Sequence, residues 1–138
     1  MSTLTDVADT VVARLNVAPS LGFTATRKYL PTTELAALDT LLVAVVPVGE
    51  VVEMATRNNE WFDCQVRVAV HQKVDPSDVS AIDVLTDLSE SVIDRLRVSA
   101  SPYVRPRLIE HDVVFEGEHL DQMRLFSGRI TLTYRKQR

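Results

Sequence analysis

The sequence predicts an α+β fold: a mainly antiparallel sheet packed on one face by two helices, with a projecting β-hairpin. Three observations carry that prediction. Two segments, one at the N-terminus and one ending near Arg97, place apolar residues at helical spacing, and Trp61 to Lys73 alternates apolar and polar residues with period two. Asn58-Asn59 lies between two strand-like runs, a pair that tolerates positive φ and suits a tight hairpin. Each helix has one apolar stripe to bury, and one face of an antiparallel sheet can bury both. At 138 residues, 46% of them hydrophobic, the chain fits a single domain, 1–138, with a substantial core.

The elements follow in order. Leu4, Val7, Ala8, Val11, Val12 and Leu15 form one helical stripe, with Thr3 or Thr5 as cap, Asp6 and Asp9 near the positive end of the dipole, and Pro19 as the stop. Phe23 to Tyr29 is β-branched and aromatic and reads as a short strand ended by Pro31. Leu38 to Pro47 is almost continuously apolar, and its valines favour a central strand over a buried helix. Gly49 marks a bend or bulge. Val51 to Arg57 alternates weakly and reaches the hairpin, so 48–60 reads as a polar-tipped, two-stranded arm. In the returning strand Phe62, Cys64, Val66, Val68 and Val70 share one face.

Asp75-Pro76-Ser77-Asp78 reads as a helix start, with Asp75 as the N-cap and proline in the first helical position. The helix runs to about Arg97, with Val79, Ile82, Leu85, Leu88, Val92, Ile93 and Leu96 buried and Asp83, Asp87, Glu90 and Asp94 in water. A Ser- and Pro-containing loop follows. Arg107 to Glu116 reads as a strand, Gly117 to Gln122 as a polar connection, and Met123 to Arg135 as the closing strand.

Several functional classes are poorly supported by this composition. The formal net charge is -4, against the basic surplus that a general nucleic-acid coat needs to displace phosphate counterions. The single Cys64 and four glycines leave no disulfide framework, multi-cysteine metal site or extended Gly-rich cofactor loop. The N-terminus lacks the pattern of a secretion signal, and no apolar run has the length of a membrane span. A soluble, intracellularly made domain is expected.

His111, His119 and Asp112 could be assembled into a zinc site, but no HxH, HExxH or CxxC spacing makes them converge. Cys64 with His71 as base would be a nucleophile pair, yet seven residues along a strand puts them on opposite faces, about 23 Å apart. A buried core thiol is the better reading of Cys64. The helical acids recur as any solvated face does, and Glu110, Asp112, Glu116, Glu118 and Asp121 carry no acid–base geometry. The tail Arg135-Lys136-Arg138 lacks the interleaved aromatics of a nucleic-acid arm. Trp61, beside the hairpin tip, reads equally as a staple of the arm or as an interface anchor.

The order of these segments resembles the small tail terminator (tail-completion) proteins of long-tailed bacteriophages and related prophages. The likeness runs from the N-terminal helix and the valine-rich strand through Val66-Arg67-Val68-Ala69-Val70-His71-Gln72-Lys73 and the helix start Asp75-Pro76-Ser77-Asp78. It continues to Glu118-His119-Leu120-Asp121-Gln122-Met123-Arg124-Leu125-Phe126-Ser127 and the closing Ile130-Thr131-Leu132-Thr133-Tyr134-Arg135. It implies a non-enzymatic virion protein without cofactors or metals. Such a protein would form a hexameric ring that caps the tail tube, ends its polymerisation and offers a surface for head attachment. The implied partners are further copies of itself, the tail tube protein and a head-completion or connector protein. DNA would pass through the lumen without specific binding, which an acidic surface favours. A head–tail connector or tube subunit of the same particle is the alternative, and a small α+β enzyme or ligand-binding domain the second. Since no motif transfers position by position, the expected interface comes from the hairpin tip (Arg57, Asn58, Asn59, Trp61) and the 101–107 loop (Tyr103, Arg105, Arg107).

Overall fold

The amphipathic spacing near the N-terminus forms α1 (Thr3–Leu15), whose Val7, Ala8, Val11 and Leu15 are buried. In this computed structural model, residues 3–16, 22–28, 41–54, 56–97, 106–115 and 117–137 are described. The remaining elements are β1 (Ala25–Arg27), β2 (Leu42–Met54), β3 (Glu60–Lys73), α2 (Val79–Arg97), β4 (Pro106–Val113), α3 (Gly117–Met123) and β5 (Leu125–Gln137). The five strands form one sheet in the order β1-β2-β3-β5-β4. Every pairing is antiparallel except β1 with β2, which is parallel.

One sheet face meets the helices. Val43 and Val45 of β2, Cys64, Val66, Val68 and Val70 of β3, and Phe126, Ile130, Leu132 and Tyr134 of β5 share a core with the stripes of α1 and α2. Period-two alternation makes this possible, because every second side chain of three neighbouring strands points the same way. Each valine or leucine fully buried there contributes about 1.5–3 kcal/mol relative to exposure. The opposite face carries Ala44, Arg67, Ala69, His71, Ser127, Arg129 and Thr131, as the cross-strand register requires.

Several local expectations are corrected. Thr3 and Thr5 both lie within α1, and the helix ends at Leu15. Of the strand expected over Phe23 to Tyr29, three residues, Ala25 to Arg27, are strand, and Tyr29 lies outside the described residues. The three are held at the foot of α1 by Asn16, whose side-chain amide donates to the Ala25 carbonyl at 3.0 Å and whose side-chain oxygen accepts from the Ala25 N–H at 2.8 Å. Asp75 does not cap α2. It closes a tight turn, accepting from the Ser77 N–H at 3.0 Å and the Ser77 hydroxyl at 2.8 Å. The capping oxygen belongs to Asp78, which accepts from the Ala81 N–H at 3.1 Å. Val79, expected in the buried stripe, is exposed, and Ser89 is buried instead, its hydroxyl donating to the Leu85 carbonyl at 3.1 Å.

The polar connection 117–122 is a short helix, α3, and the last strand starts two residues later than expected. Arg124 ends α3 at φ 51°, the left-handed conformation that commonly closes a helix. Its carbonyl accepts from the Val74 N–H at 2.9 Å, tying this turn to the end of β3.

The strand expected up to Pro47 and the arm beyond it are one element. β2 runs through a bulge in which Pro47 faces Val66 and Gly49 faces Gln65, leaving Val48 as the extra residue. Beyond the bulge the arm is wider than two strands, because β5 pairs with β3 as far as Gln137 opposite Trp61.

Candidate interaction surface

The far end of the sheet gathers most of the distinctive chemistry. Arg57, Asn58 and Asn59 are exposed in the β2–β3 turn, which the Thr56 N–H closes onto the Asn59 carbonyl at 3.1 Å. Trp61 follows on β3, half-buried, with the Arg135 guanidinium 5.4 Å from its ring centroid. A cation over an indole face is an attractive arrangement. It ties Trp61 to β5.

Asp63, two residues along β3, is the hub of the surrounding hydrogen bonds. Arg135 donates to it through Nε at 2.8 Å and Nη2 at 3.0 Å. Arg107 reaches across from β4 at 3.2 Å, and Arg135 also donates to Glu53 of β2 at 3.2 Å. One carboxylate thus joins side chains from three strands, and Arg135 extends the cluster to a fourth. The hydrogen bonds from Arg135, followed by the positive charges of Arg135 and Arg107, hold the Asp63 carboxyl below its ordinary range against the opposing effect of desolvation. In turn Asp63 raises the pKa of Arg135.

Of the expected interface residues, Trp61 and Arg107 join this cluster, while Arg57, Asn58 and Asn59 sit at the turn beyond it. Tyr103 and Arg105 lie outside the described residues. Sequence reasoning missed Asp63, Arg135 and Glu53. Asp63 and Arg135 are 72 positions apart and meet only through the β3–β5 register, so no local spacing announces them.

The margin of the sheet is the second feature. β1 pairs only with Val43, Ala44 and Val45 of β2, and the Lys28 N–H adds one bond to the Val45 carbonyl. From Val46 to Met54 β2 has no strand on its outer side among the described residues. Val48, Val51, Val52 and Met54, all on this stretch, are exposed. The other margin is β4, followed by exposed Val114 and Phe115, with Leu108 exposed on the strand itself. Bare strand edges with apolar side chains are templates for pairing with another chain.

The enzymatic alternatives gain little from the geometry. Cys64 is fully buried on the helix-covered face, and burial, with the charges of Glu50 and Asp63, pushes its thiol pKa up to about 11. His71 lies on the other face, its Nδ1 3.0 Å from the Ser127 hydroxyl. His111 stands on β4, while the side chains of Asp112 and His119 lie outside the described residues. Among the described residues no three His, Cys, Asp or Glu side chains converge as metal ligands. A shallow open depression is lined by Lys73, Val74, Asp75 and Arg124. None of the described helices is long and apolar enough to cross a membrane. No known family model and no curated protein matches the sequence.

Proposed function

We propose that this protein is a structural virion subunit, a tail terminator that caps a phage tail tube as a hexameric ring, ends its polymerisation and forms the head–tail joining surface. One observation carries the reading: among the described residues, a helix-backed sheet has two apolar edges with no further strand, at β2 beyond Val45 and at β4. A ring requires a heterologous interface, with a different surface on each side of the subunit, and two unlike sheet margins supply that requirement. The whole-chain resemblance to tail terminator proteins supplies the biological setting. In that setting the tube protein and a head-completion or connector protein are the partners, and DNA traverses an acidic lumen without being held.

Negative-stain microscopy of the purified protein, with and without isolated tail tubes, tests this. Single closed rings, and tubes whose elongation stops when the protein is added, are expected. Open-ended cylinders formed by the protein alone would make it a tube subunit instead. Monomers that neither assemble nor halt tube growth would overturn the reading.

A further inference from the structure

We draw no further inference here: the strongest candidate, the side-chain cluster of Arg67 and His71 of β3 and Arg129 of β5 on the sheet face opposite the helices, is centred on Ala69, which is already buried together with its neighbour Ala44, and nothing among the described residues shows what covers it.

Discussion

Arg135 grips Asp63 with two parallel hydrogen bonds, at 2.8 and 3.0 Å, from the strand position directly opposite it. The fork geometry of the guanidinium matches the carboxylate, and lysine would not reproduce it. Asp63→Asn should lower stability at neutral pH by about 1–2 kcal/mol, the range of a charge-assisted hydrogen bond reduced for a partly exposed partner. The pH dependence has a definite sign. Asp63 has a lowered native pKa relative to 3.8, so its contribution is complete above that value and disappears as pH falls through the native pKa. Urea melts of wild type and variant should therefore differ at pH 7, and the gap should begin to close only below 3.8 and vanish once the pH is under the lowered native pKa; a constant gap would contradict the account.

Gly128 is a packing requirement. A Cβ there would lie 3.0 Å from the Val114 carbonyl oxygen and 3.2 Å from the ring of Phe126, which is fully buried. Gly128→Ala should destabilise the protein by about 1–3 kcal/mol, the usual range for overpacking a filled core. Thermal unfolding read by circular dichroism checks this, and a variant as stable as the wild type would show that the Val114 bend yields freely.

Cys64 should be chemically silent. Its thiol is buried and its pKa is raised to about 11, so little of the reactive thiolate exists at pH 8. Labelling with a disulfide reagent should be at least about 100-fold slower in the native protein than in 6 M urea. Equal rates would return Cys64 to the list of candidate nucleophiles.

The division between helices and strands was legible in the sequence because it rests on periodicity. The stripe of α1 and the alternating face from Cys64 to Val70 appear as expected, and so does the β2–β3 hairpin. Failures arose where a decision depended on neighbours. Asp75 and Asp78 both satisfy the local pattern of a helix cap, and only the observed hydrogen bonds separate them. Gly117 to Met123 is short and polar, with too few apolar residues to show a helical period. The parallel pairing of β1 is similarly hidden, since three residues carry no record of their partner. At the candidate surface the Asn58-Asn59 turn was legible from its residue types. The Asp63–Arg135 pair was not, because it is a product of register.

The bulge in β2 has a consequence for how that strand tolerates change in length. Ahead of it the helix-covered face takes odd-numbered residues, Val43 and Val45; after it the same face takes even-numbered ones, Glu50 and Val52. Val48 is the spare tooth that resets the count. Its removal would close the bulge and leave every later residue on its present side, whereas a deletion farther along would turn the rest of the strand inside out.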